Sequence, residues 1–570
     1  MIRTGVGLLA LTCLLACPAP GPVPVDAGVV PDAGPVVDPT VAIFSPTHVV
    51  QVAIELPPAD WDSLRFQTRD LFTMLLGDCT AQPFPSPFTT FEGTVTVDGQ
   101  RLTRATVKKK GFLGSLSSDR PSLKLKFDTF IAGQEVTGLD SMTLNNAQQD
   151  PSIVRQCLGY AVFAKAGLVA PRCNYAHVRV NGADLGVYVH VEAIDKDFLK
   201  RRFTQASGHL YEGTLSDFSA NTVRTFDLKG TDLDRSDVLA VTAALTAAES
   251  ELVARLEPLV DLTQFIDFWA TETVLRNWDG YSNNTNNFFI YDDPSTGKFV
   301  FIPWGVDAVL AAGAATEDFP EGLLLRGELA RRLYQVPEMR ARYLARVRSL
   351  LDTVFSEAVL RGEVTRMASL VRSALTPIQA REFAEGILSV QSGISGRRAT
   401  LLAALASPPT GAPPPKPPLC LTPIGTVAGT FETSWGTLNV GNPFTTGSGT
   451  LDVTVDGGVI PIRMVGSVAG RDMGGAGGAR VGVTLAAFLG DGGIFAAALR
   501  LDPALYPSAG PMPFDIRSQI GVTYEFQGQT PVPQGLMGKG SLEFFDAGMS
   551  AGAAVSGRFS ADLFRWPFGG

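Results

Sequence analysis

Between Ser407 and Leu419 the chain reads Ser-Pro-Pro-Thr-Gly-Ala-Pro-Pro-Pro-Lys-Pro-Pro-Leu, and no packed element can run through it. Proline fixes φ and removes a backbone donor, so the stretch is a stiff, extended linker. Folded units must therefore lie on either side of it. The length of 570 residues demands the same, because single cores stop growing beyond roughly 250–300 residues. After the linker (407–420), residues 421–570 alternate apolar and polar positions between glycine turns, as in Gly449-Thr-Leu-Asp-Val-Thr-Val455 and Gly521-Val-Thr-Tyr-Glu-Phe526. That pattern predicts a smaller all-β domain, a sandwich or a barrel.

Residues 41–406 read as a mixed α+β domain. Strands are expected near 50–55, 93–98, 104–110, 121–127, 174–180 and 185–192, with helices over 151–166, 195–202, 233–257 and 262–276. A hairpin follows over Phe288–Trp304, and the periodicity is helical again over 328–334, 337–354 and 358–375. A β-rich lobe thus precedes a helical one, with acidic loops between them.

The first seventeen residues carry Arg3, a twelve-residue apolar run from Gly5 to Ala16, and Leu14-Leu15-Ala16-Cys17. This is the form of a secretory signal, too short to span a bilayer as a helix. Leu-Leu-Ala-Cys resembles a bacterial lipobox, which makes Cys17 the expected lipidation site. The Pro-, Ala-, Asp- and Gly-rich residues 18–40 then read as a disordered tether. The expectation is an exported lipoprotein at the outer membrane or cell surface, held to the membrane by its lipid alone. Four cysteines remain beyond it, Cys79, Cys157, Cys173 and Cys420, and they allow three pairings among which sequence cannot choose. A net charge of −9 argues against a nucleic-acid partner.

Chemistry concentrates in Asn277-Trp278-Asp279-Gly280-Tyr281, in the Asn-rich loop after it, and in Phe299-Val-Phe-Ile-Pro-Trp-Gly-Val-Asp307. Two carboxylates and several amides are tied to rigid elements, which suits a divalent cation and a transferring phosphate. Asp279 and Asn284 stand five apart (284 − 279 = 5), the interval of the proton-accepting Asp and the metal-binding Asn in the kinase loop H-R-D-x-x-x-x-N. Upstream, Lys124 and Lys126 alternate with Leu123, Leu125 and Phe127, so both point to one face of a strand. Lys110-Gly111-Phe112-Leu113-Gly114-Ser115 offers a glycine turn able to present N–H groups to phosphate. The acidic loops have no basic cluster near them in sequence. All four histidines precede the loops, and no aromatic sugar platforms accompany the two carboxylates, which disfavours triad hydrolysis and glycoside cleavage.

Taken with Arg120-Pro-Ser-Leu-Lys-Leu-Lys-Phe-Asp128, Leu144-Asn-Asn-Ala-Gln-Gln-Asp150 and Val180-Asn-Gly-Ala-Asp-Leu-Gly-Val-Tyr188, the loop and hairpin resemble the CotH family of spore-coat-type atypical kinases. The likeness covers roughly residues 45–405. It implies a two-lobed kinase-like fold that binds ATP with Mg²⁺ or Mn²⁺ and phosphorylates Ser or Thr of an envelope or coat protein. Asp279 would be the catalytic base, Asp307 a metal ligand, and Asn287 or Asn284 the metal-binding amide. Lys124, Lys126 or Lys110 would meet phosphate, and Glu192 would mark the hinge beside the adenine. The pattern departs from the family at Gly305, where many members carry Asp, and this leaves open the alternative of a non-catalytic pseudokinase serving as a structural or adhesion lipoprotein of the envelope or spore coat. It also lacks a Glu in helix 151–166 to pair with a strand lysine.

Overall fold

The computed structural model describes residues 38–112, 114–311, 320–472, 480–506, 510–514, 519–528 and 530–565. The expected signal, Cys17 and nearly all of the tether lie outside the described residues, as does Leu113 of the glycine turn.

The first lobe is a closed barrel of seven strands: β1 (Val49–Glu55), β2 (Thr90–Val97), β3 (Gln100–Lys110), β4 (Ser122–Lys126), β5 (Ser141–Asn145), β6 (Cys173–Val180) and β7 (Ala183–Val191). Neighbours pair antiparallel except at the closure, where Val49–Ile54 of β1 lies parallel to Tyr175–Val180 of β6. Alternation drives the assembly. Val50, Val52 and Ile54 point inward with Val95, Val107, Leu123, Leu125 and Val178, all essentially buried, while the intervening side chains meet water.

A second, four-stranded sheet follows, of β8 (Leu210–Gly213), β9 (Asp227–Leu228), β10 (Phe288–Asp293) and β11 (Lys298–Pro303), in the order β11-β10-β8-β9. Helix Leu262–Leu275 packs on it and on helix Pro337–Thr353, where Trp269 stacks on Tyr343 with centroids 3.6 Å apart. Helices continue to Ala406. The span expected as one helix over 233–257 is two, Ser236–Ala244 and Glu249–Leu256. The Arg332 guanidinium takes the carbonyls of Leu245 and Ala247 at the break, so a tertiary contact overrides local propensity.

Residues 423–565 form a ten-stranded sheet. It curls until strand Ile462–Asp472 lies against Pro423–Ser434, with Thr433 Oγ1 donating to Ser467 O at 3.0 Å. Among the described residues two disulfides are present, Cys157–Cys173 and Cys79–Cys420, the second bridging 341 positions. Among the described residues no helix is long and apolar enough to cross a membrane.

Candidate active site

A cleft of about 1090 Å³ opens between the barrel and the helical lobe, room enough for a nucleotide. Its floor is built from the end of helix Leu262–Leu275. Asp261 caps the start of that helix through the amides of Thr263 and Gln264, and Arg276 ends it in the left-handed region at φ 50°. The next residues are fixed by Glu272, a buried carboxylate near the end of that helix. It accepts from Asn277 Nδ2 at 2.9 Å, Tyr281 N at 3.1 Å and Ser282 N at 2.8 Å. A Cβ on Gly280 would fall 1.8 Å from Glu272 Oε1, so only glycine lets the loop close over this carboxylate. Burial pushes the Glu272 carboxyl up to about 7. Asp217, also pushed by burial to about 7, fixes the other side by accepting from Tyr281 Oη at 2.9 Å and Glu328 N at 2.8 Å. Neither acid was apparent from sequence. For Glu272 the signal was a charge in a mostly apolar helix that carries one other acid, Asp267.

Asp279 is thereby held in the cleft with both oxygens engaged by amides. Asn286 Nδ2 donates to Oδ1 at 3.2 Å, Asn287 Nδ2 to Oδ2 at 2.7 Å, and Asn284 Nδ2 also to Oδ1. Burial raises its affinity for a proton, and these amides and the nearby Lys416 oppose that rise. Asp307 follows β11 on a short 3-10 turn. Burial first, and then the charge of Asp279, push its carboxyl to about 7. The two acids therefore share one low-dielectric space. Gly305, two residues before Asp307 and against Asn287, has φ 52°, and its N–H donates to Tyr160 Oη at 3.1 Å.

Of the expected lysines, Lys110 and Lys124 line the cleft. Lys110 is lowered to about 8, mainly by burial, while Glu212 and Asp307 pull it back up. Its Nζ donates to Asn145 Oδ1 at 2.6 Å, and Asn145 Nδ2 donates to Gln156 Oε1 at 2.9 Å. Gln156 lies on helix Arg155–Lys165. A Lys–Asn–Gln relay thus runs from the end of β3 through β5 to this helix. Lys124 lies opposite Lys108 across β3 and β4. Lys126 is elsewhere: two residues further along β4, its ammonium is bound by Asp128 and Asp140, outside the cleft lining. Glu192 is likewise absent from the lining. It is buried and clamped by Arg172 and Arg201, each at 2.7 Å. Burial alone would raise its carboxyl, but these hydrogen bonds hold it below the usual range. Ala193 to Lys196, just beyond it, do line the cleft, and Asp195 caps the next helix. The scarcity of basic groups read from the sequence is also corrected, because folding brings Lys110, Lys124 and Lys416 to the acidic loops.

Among the described residues no three His, Cys, Asp or Glu side chains converge as a metal cluster. The donors at hand are two carboxylates and the amide oxygen of Asn287, an all-oxygen set suited to Mg²⁺ or Mn²⁺, while the Asn284 amide oxygen accepts from the Lys416 ammonium. The burial of two acids in one space fits such a cation.

The family model described as CotH kinase protein matches residues 107–383, which contain all of these acids and amides. Residues 107–383 belong to the CotH family. The inner spore coat protein H of Bacillus subtilis is 23% identical over 261 residues, 43% of this chain and 71% of that protein. Invasin CotH7 of Rhizopus delemar is 22% identical over 263 residues, and the match spans only 43% of its length. The Helicobacter pylori proinflammatory kinase CtkA overlaps 52% of this chain and 93% of its own at 12% identity, with a TM-score of 0.28 that is too low to bear on the reading. The CotH match leaves the linker and the C-terminal β domain outside it.

Proposed function

We propose that this protein is an exported CotH-type kinase that binds ATP with Mg²⁺ or Mn²⁺ in the cleft and transfers the γ-phosphoryl group to a Ser or Thr hydroxyl of a coat or envelope protein. The observation that carries this reading is Asp279, a part-buried carboxylate organised by three asparagine amides and close to a second part-buried acid, Asp307, which in turn is close to Lys110.

In this reading the acceptor hydroxyl oxygen bonds to the γ-phosphorus as its proton passes to Asp279. The bond from that phosphorus to the bridging oxygen breaks, and the nucleoside diphosphate leaves. Asp307 with Asn287 would hold the divalent cation, which supplies charge neutralisation when bound. Lys110, buffered by Asn145 and Gln156, meets phosphate, as does Lys124. The backbone of Ala193–Lys196 offers an edge for the base. Glu272 and Asp217 position the loop so that little reorganisation remains at the moment of transfer.

Two disulfides agree with an exported site of action, as do the names of the spore-coat and invasin relatives. Attachment through a lipid on Cys17 belongs to the same proposal. Calorimetry of the full-length protein with ATP, with Mn²⁺ and with chelator, tests the reading. Metal-dependent binding is expected, and the absence of binding in both conditions would refute it.

A further inference from the structure

The loop from Asn277 to Asn287 contains no Lys, Arg or His. Arg276, immediately before it, is turned to the carbonyls of Ala311 and Pro320. Yet the loop does receive a cation, and it comes from the linker: Lys416 Nζ donates to Asn284 Oδ1, and Asn284 in turn donates to Asp279.

The linker is built to keep that ammonium there. At its start Tyr334 Oη donates to Pro409 O at 2.9 Å and Arg340 to Thr410 O at 2.7 Å. At its end Cys420 is bonded to Cys79, and Leu421 N donates to Leu75 O at 2.5 Å. Between these anchors Pro413, Pro414, Pro415, Pro417 and Pro418 restrict the backbone, so little entropy is lost in holding Lys416 at the cleft. Pro415 to Leu419 line the cleft wall, and all of them lie beyond the matched residues 107–383.

We propose that Lys416 is a phosphate-binding residue of the cleft, supplied in cis by the linker, whose ammonium contacts the terminal phosphate of a bound nucleoside triphosphate. The inference rests on the nucleotide reading above. It gives the linker a part in recognition beyond spacing two domains, and it places one wall of the site outside the family domain.

The test compares wild type, Lys416→Ala and Lys416→Arg, all full-length, by calorimetry in Mn²⁺ with ADP, a non-hydrolysable ATP analogue and inorganic tripolyphosphate. Lys416→Ala should weaken the triphosphate analogue at least about tenfold, the size of one charge-assisted contact, and leave ADP within about twofold. Lys416→Arg should recover most of the loss. An equal fall for ADP and the analogue would make Lys416 a structural support of the loop and overturn the proposal. Unchanged or tighter triphosphate binding in Lys416→Ala would overturn it too, the latter identifying a plug. If the wild type binds tripolyphosphate but neither nucleotide, the kinase reading falls alone, and the tripolyphosphate loss in Lys416→Ala still decides the role of Lys416. If it binds none of the three, both fall.

Discussion

Gly280→Ala is the sharpest structural test of how the Asp279 loop is held. The glycine has an ordinary φ of −88°, so an alanine there costs nothing in backbone conformation. The cost is steric and polar. Its Cβ would lie 1.8 Å from Glu272 Oε1 and 2.4 Å from Asn277 Nδ2, so the carboxylate must move and give up acceptor contacts to Asn277 Nδ2 and Tyr281 N. Overpacking a buried site costs ~1–3 kcal/mol and losing a hydrogen bond to a buried charged acceptor ~1.5–3 kcal/mol, together about 2.5–6 kcal/mol. Gly362 is the control. It is an exposed glycine inside helix Glu357–Val371 with nothing within 4 Å of its Cβ position, so Gly362→Ala should stabilise by ~0.5–1 kcal/mol. Urea unfolding followed by tryptophan fluorescence, with Trp278 in the loop, measures both variants. A Gly280→Ala loss under about 1 kcal/mol, or equal signs for the two alanines, would refute the account of Glu272 as the keystone of the loop.

Asp307→Asn should abolish metal-dependent nucleotide binding yet stabilise the ligand-free protein at pH 8. Its carboxyl titrates near 7 when folded against 3.8 ordinarily, so the penalty on the charged form is absent below pH 4, grows as pH rises, and reaches up to about 4 kcal/mol above pH 7. Urea midpoints at pH 5 and pH 8 check it, and a variant no more stable than wild type at pH 8 contradicts it. Lys110→Met should weaken ATP binding by about tenfold or more while leaving the urea midpoint nearly unchanged, because it removes a phosphate contact whose present cost is burial; calorimetry beside unfolding separates the two. Cys17→Ser should release the protein from membranes, and continued sedimentation after normal export would point to a protein anchor instead.

Most strands could be read from the sequence because alternation is local. Val50, Val52 and Ile54 face one way, and Leu123 and Leu125 fix the face on which Lys124 lies. Barrel closure could not be read, since it depends on β1 meeting β6 more than a hundred residues later. The same distance hid the Cys79–Cys420 pairing and the arrival of Lys416 at Asn284. Lys126 and Glu192 show the limit of strand parity: it gives a face, whereas the acids and arginines that capture each side chain come from other elements. Glu272 and Asp217 are structural in the fold because their partners come from elsewhere in the chain: Glu272 accepts from loop amides such as Ser282 N, and Asp217 from Glu328 N and the Tyr281 hydroxyl. Gly305 reads as a lost carboxylate in sequence. In the fold, its absent side chain leaves room for Asn287, whose Oδ1 would lie 2.6 Å from a Cβ there.

The most direct measurement of the central claim is γ-phosphate transfer by Asp279→Asn, compared with wild type using radiolabelled ATP and Mn²⁺, with autophosphorylation included and nucleotide affinity measured on the same preparations. The substitution keeps shape and removes the proton acceptor, so transfer should fall ~10²-fold or more while ATP affinity stays within a few-fold. Transfer by Asp279→Asn at the wild-type rate, or no transfer by the wild type despite tight binding, would contradict the assignment of this cleft as a kinase active site.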